Sequence, residues 1–163
     1  MGRQAHSFKE LDKFRNQLKK NGLKATEQRV AVHEAMMDLG HASADMVCEW
    51  LDENSSANVT KTSVYNILNQ MALLGIYDYR MSANNKMYFD VVTAPHFHMY
   101  DCANHCFKDI MDEELHSRLL AAIGTKRFRG YKIENIDIQF VVRPTKKATS
   151  QPRKQTEEGR KHR

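Results

Sequence analysis

The chain has 163 residues, 41% of them hydrophobic, with three cysteines and a formal net charge of +5. That length supports one ordinary domain or two small ones with a core, and three cysteines argue against a disulfide framework and for a reducing compartment. No apolar run approaches the roughly 18 residues that a membrane span needs, and the stretch from Met1 to Lys20 is charged where a secretion signal is apolar, so the expectation is a cytoplasmic protein with no membrane partner.

In chain order, Phe8, Leu11, Phe14 and Leu18 recur at helical spacing, and Asn21-Gly22 supplies a stop. Thr26 predicts the cap of a second helix with Val30, Val32, Ala35 and Met36 inward, closed by Gly40. Ser43 caps a third, through Val47, Trp50 and Leu51. Thr62 or Ser63 caps a fourth, with Val64, Ile67, Leu68, Met71 and Leu74 as its buried stripe and Gly75 at its end. The pattern then changes to strands over 76–81 and 87–92 around a turn at 82–85. Short helices followed by a hairpin give the order of a winged helix-turn-helix, with the fourth helix as the one that enters a major groove. Its exposed candidates, Lys61, Ser63, Tyr65, Asn66 and Asn69, suit base edges and thymine methyls, and no acid shares that face. The same spacing also suits a plain core helix. Residues 1–29 hold eight Lys/Arg against three acids and residues 30–93 three against eight, so Lys20, Lys24 and Arg29 form a local basic edge for phosphates.

Ala94-Pro95 breaks the chain and divides a unit over 1–93 from a second over 94–142. If residues 96–102 run as a strand, His96 and His98 point to one side. Ala103 to His105 can close a hairpin whose return strand brings Asp109 back towards positions 98–100, and Asp90 arrives from the preceding segment. Two imidazoles with two carboxylates suit iron, manganese or zinc. The bland alternative is surface histidines on an exposed hairpin; a non-haem iron enzyme is a further one, since two histidines and a carboxylate leave open coordination positions. An acid-capped helix from about Asp112 and a long strand from Tyr131 to Val142, alternating Ile133, Ile136, Ile138 and Phe140, complete this unit. Fewer than fifty residues make a thin core, which predicts a homodimer through these strands. Residues 143–163, with eight Lys/Arg against two acids and no apolar period, read as a basic disordered tail.

Gly22-Leu23-Lys24-Ala25-Thr26, His41-Ala42-Ser43-Ala44-Asp45, Thr62 through Leu68, Gly75-Ile76 and the His-Phe-His hairpin together resemble the ferric uptake regulator family over roughly 10–142. The resemblance implies an α+β chain with an N-terminal winged-helix DNA-binding domain and a small α/β dimerisation domain, in a metal-dependent repressor controlling metal homeostasis or oxidative-stress genes and bound to double-stranded operator DNA. It places a regulatory site for Fe2+, Mn2+ or Zn2+ on His41, Asp90, His96, His98 and Asp109, the two aspartates being more like the peroxide-sensing branch. It matches Tyr65 to a base-contacting tyrosine and Lys24 to a minor-groove lysine, while Asn66 stands where arginine is common. The family's structural zinc cannot form, because Asp101 and Asn104 occupy cysteine positions and no cysteine follows Cys106. Cys102, His105 and Cys106 remain as a possible second metal or haem site, with Met99 a further axial candidate for haem sensing. The family's additional site is lost at Pro95, Phe97 and Ile136, leaving His116. Cys48 is expected in the core, and His6, His33 and His162 as solvated or packing residues.

Overall fold

The computed structural model describes residues 8–133 and 136–145; His6, His162 and the tail from 146 onward lie outside them. Helix α1, Phe8–Lys20, buries Phe14 and Leu18 and ends at Gly22, whose φ of 71° lets Leu23 N–H reach back to the Leu18 carbonyl at 2.9 Å. Helix α2, Glu27–Leu39, starts at the Thr26 cap, as its sequence predicts. Val30 is only partly buried, and His33 takes a core place instead, its ring stacked 3.8 Å from Phe14 and its Nδ1 2.8 Å from the Tyr77 hydroxyl. Helix α3, Ala44–Asn54, starts at Ser43.

Helix α4, Lys61–Leu73, begins earlier than the sequence suggests. Its cap is Thr60, whose hydroxyl accepts from Ser63 N–H at 3.2 Å, so Thr62 and Ser63 are inside the first turn. Val64, Ile67, Leu68 and Met71 form the buried stripe; Leu74 falls on the helix cap and is exposed. These helices share one apolar core with Ala42, Ile76, Tyr77 and Phe89.

A three-stranded sheet covers this core. Strands β2, Asp78–Met81, and β3, Met87–Asp90, form the expected hairpin. A third strand, β1, His41–Ala42, lies between α2 and α3 and pairs antiparallel with β3. Two residues are too few to show a period in sequence, so this strand is visible only in its pairing.

A second sheet has the order β5-β4-β6. Strands β4, Phe97–Asp101, and β5, Cys106–Ile110, make the predicted hairpin, and β6, Gln139–Val142, runs parallel to β4 on its other edge. Of the long strand expected over 131–142, the described residues form strand only at Gln139–Val142. Since β4 is five residues long, its ladder gives β6 partners only from His98 to Asp101. Tyr88, Tyr100 and Phe107 form a small aromatic cluster between the sheets. Helix α5, Glu113–Gly124, capped by Asp112, buries none of its residues in the single chain. Among the described residues no helix is long and apolar enough to cross a membrane.

Candidate metal centre

Cross-strand pairing builds the site. In the first sheet His41 lies directly opposite Asp90; in the second, His98 lies opposite Asp109. Directly opposed residues on one face have adjacent side chains, so each sheet delivers an imidazole–carboxylate pair. Strand β1 lies against β5, which sets the two pairs face to face. His96, two residues ahead of His98 in an extended chain, adds a third ring on the same side.

The result is one cluster. The ligand-capable atoms of His41, Asp90, His96, His98 and Asp109 all lie within 4.8 Å of one another. His41 Nε2 is 3.0 Å from both Asp90 Oδ2 and Asp109 Oδ1, His96 Nε2 is 3.2 and 3.1 Å from the same two oxygens, and His98 Nε2 is 3.3 Å from Asp90 Oδ2. Two donors each about 2.1 Å from a common ion and at right angles sit about 3.0 Å apart, so the spacing fits first-row coordination. The side chains of Asp90 and His98 are 1% exposed and that of Asp109 is 25% exposed, so the cluster opens to solvent beside Asp109.

Two further observations test the fit. His41 Nε2 is buried and, although close to both carboxylates, makes no aligned hydrogen bond. A buried nitrogen left in this state costs free energy that an ion between it and the carboxylates would offset. The outer atoms are also arranged for ligation: His96 Nδ1–H donates to the Ala94 carbonyl at 2.6 Å, which turns its Nε2 lone pair inward, and Asp90 Oδ1 accepts from Val92 N–H at 2.7 Å, which leaves Oδ2 for the cluster. Burial pushes the Asp90 carboxyl up, but the His41 and His98 imidazoles outweigh it and hold the group well below the usual carboxylate range. Burial pushes the His98 imidazole down, and Asp137 and Asp90 more than reverse this.

Arg80 and Asp137 were not singled out from the sequence. Arg80 is the one inward residue of β2, with Tyr79 and Met81 outward on either side of it. Its guanidinium lies on His98 Nδ1, 2.9 Å from Asp137 Oδ1, 3.5 Å from Asp90 and 3.4 Å from Asp78. An arginine at an inward position of a strand is the available signal, because a buried guanidinium needs acid partners.

The three cysteines are free and partly buried. Cys102, His105 and Cys106 are not brought together: the five residues above are the one such cluster among the described residues. His105 Nδ1 instead faces the Tyr100 hydroxyl at 2.9 Å and the Asn84 amide at 3.3 Å. Asp101 and Asn104 hydrogen-bond to each other at 2.7 Å, and Asp101 Oδ1 also accepts from Ala103 N–H, closing the turn with side-chain hydrogen bonds. His116 packs on Phe97, ring centres 5.1 Å apart.

On α4, Tyr65, Asn66 and Asn69 project to solvent. Ser63 is half-buried, its hydroxyl 2.9 Å from that of Thr60. Lys61 is exposed and paired with Asp45 at 2.7 Å, with Lys86 4.0 Å from the same carboxylate; the Lys61 hydrogen bond holds the Asp45 carboxyl below its ordinary range. Lys24 is exposed in the turn before α2, where its carbonyl accepts from Arg29. Arg29 also donates to Gln70 at 3.0 Å, tying that turn to α4.

The sequence model of the ferric uptake regulator family matches residues 20–141. The fold is similar to that of the ferric uptake regulator of Pseudomonas aeruginosa with manganese, with 26% identity, a TM-score of 0.63, and 80% of this chain and 97% of that one covered. It is similar also to the Vibrio cholerae ferric uptake regulator, at 20% identity and a TM-score of 0.66 over 80% of this chain and 99% of that one. The Campylobacter jejuni peroxide stress regulator matches at 24% identity and a TM-score of 0.57, with 81% and 96% covered. No curated protein sequence matches the chain.

Proposed function

The chain belongs to the ferric uptake regulator family, and from that premise we propose that it is a metal-responsive transcriptional repressor whose signal is read by His41, Asp90, His96, His98 and Asp109. The observation that carries the proposal is the origin of these side chains: His41 and Asp90 come from the winged-helix sheet, and His96, His98 and Asp109 from the segment beyond Ala94-Pro95. The first unit, 1–93, reads DNA and the second, 94–142, pairs with a second copy.

A divalent ion bound there supplies the positive charge that five crowded donors, two of them carboxylates, otherwise lack. Nitrogen and hard oxygen donors without thiolate suit Fe2+ or Mn2+, and manganese is the ion in the Pseudomonas aeruginosa structure; Zn2+ is also competent. Holding all five donors requires the two sheets to abut, so the residues themselves select the closed shape. At an ion concentration about 100 times Kd, this selection is worth about 2.7 kcal/mol per site. Two sites per dimer reach about 5.4 kcal/mol, enough to carry a two-state equilibrium from roughly 1:99 to 99:1. The closed dimer sets its two α4 helices about one DNA turn, roughly 34 Å, apart, with Tyr65, Asn66 and Asn69 towards base edges and Lys24 and Lys61 towards the backbone or minor groove. Exposed apolar side chains in the second unit, Phe128 at 57% and Tyr131 at 83% among them, support the pairing face.

The test is a DNA titration against duplexes selected from a random pool in Mn2+. Chelator is expected to weaken wild-type binding at least tenfold, and His96→Ala and His98→Ala to bind weakly with or without metal while light scattering still reports a dimer. Metal-dependent binding retained by both variants removes the mechanism.

A further inference from the structure

A histidine that binds a metal through Nε2 carries its remaining proton on Nδ1, and that proton needs an acceptor to fix the ring. For His96 the chain itself provides one, the Ala94 carbonyl. For His98 the groups beside Nδ1 are Arg80, which can only donate, and the Asp137 carboxylate, 3.5 Å away. Backbone pairing puts Asp137 there: His98 N–H donates to the Ile138 carbonyl at 3.1 Å, so residue 137 is held alongside His98 where β6 begins. Arg80 holds the same carboxylate oxygen at 2.9 Å while keeping its own position through Asp78 and Asp90. Asp137 also lines a cavity of about 290 Å³ behind the centre, with His96, His98 and His116.

The structure assigns Asp137 as a positioning residue of the metal centre: it accepts the Nδ1 proton of His98 and so aims Nε2 at the ion, with Arg80 keeping the carboxylate in place. This rests on the five-residue centre proposed above. While Arg80 donates to the Nδ1 lone pair, the neutral ring carries its proton on Nε2; ligation through Nε2 takes the other tautomer, with that proton now on Nδ1 and accepted by Asp137, while the guanidinium gives up Nδ1 and stays on the carboxylate. The ring keeps the same number of protons, so the effect is one of tautomer and orientation.

The experiment is a Co2+ titration of the full chain followed by its d–d absorption, for the wild type, His98→Ala, Asp137→Ala, Asp137→Asn, Asp137→Glu and Asp78→Asn. Loss of an outer partner of a metal-bound histidine typically costs 10- to 100-fold in affinity. Asp137→Ala and Asp137→Asn are expected to weaken Co2+ binding by about 10- to 100-fold and to change the saturated spectrum, and Asp137→Glu to recover part of both. Asp78→Asn, which removes another acid from Arg80 without touching His98, is expected to stay within about threefold with the wild-type spectrum. If both neutral Asp137 variants bind like wild type while His98→Ala does not, the assignment to Asp137 is wrong and the centre stands. If the wild type takes up no Co2+, or His98→Ala binds it as wild type does, the centre itself falls and the assignment with it. A loss as large in Asp78→Asn as in Asp137→Asn assigns the effect to net charge and overturns the positioning role.

Discussion

Single residues in this protein act through what faces them. Asp101 uses both carboxylate oxygens to close the β4–β5 turn, and the Asn104 side chain with the Ala103 and Asn104 N–H groups holds its carboxyl below the ordinary range. A depressed pKa in the folded state contributes stability that is present above the unfolded value, about 3.9, and is lost as pH falls through the folded one. Asp101→Ala is therefore expected to lower Tm at pH 7, with the gap from wild type closing below about pH 4; a gap constant from pH 7 to pH 3 contradicts the charged turn. Asp109, His98 of β4 and His96 just before it could be placed together from sequence because alternation in an extended chain and a short turn fix their relative positions. Arg80 and Asp137 could not, since their meeting depends on two sheets packing against each other.

At the scale of elements, helix starts and stops were legible where side chain and backbone cooperate locally. Thr26, Ser43 and Asp112 each accept a backbone N–H at a helix start, and Gly22, Gly40 and Gly75 take positive φ at helix ends. The start of α4 was misplaced because Thr60, Thr62 and Ser63 are all competent caps and only the backbone conformation chooses. Thr60→Ala is expected to cost about 1 kcal/mol in urea denaturation and Thr62→Ala only a few tenths; the reverse order would place the cap at Thr62. Strand β6 was overestimated for a different reason: alternation shows that a segment can pair, and the length of the neighbouring strand decides how much of it does.

For the whole molecule, the contacts between the two sheets include the cluster around Asp90 and Asp109 and the aromatic contact of Tyr88, Tyr100 and Phe107. Under the function proposed above, the first responds to an ion and the second does not, so calorimetry with and without chelator separates them. At Mn2+ about 100 times Kd, the roughly 2.7 kcal/mol of selective binding should raise Tm by roughly 5–11 °C for a chain of this size. His98→Ala should show no such rise; an equal rise in the variant would mean that the ion binds elsewhere. The sequence by itself determined the order of helices and strands, the caps, the winged-helix pattern and four of the five clustered side chains, because each follows from contacts between near neighbours in the chain. His41 could be named only through family resemblance, its two-residue strand being too short to carry a period. Tertiary structure alone decided that His41 lies opposite Asp90, that Arg80 and Asp137 stand behind His98, and where β6 starts. These depend on how two sheets distant in sequence abut, and no local pattern encodes that distance.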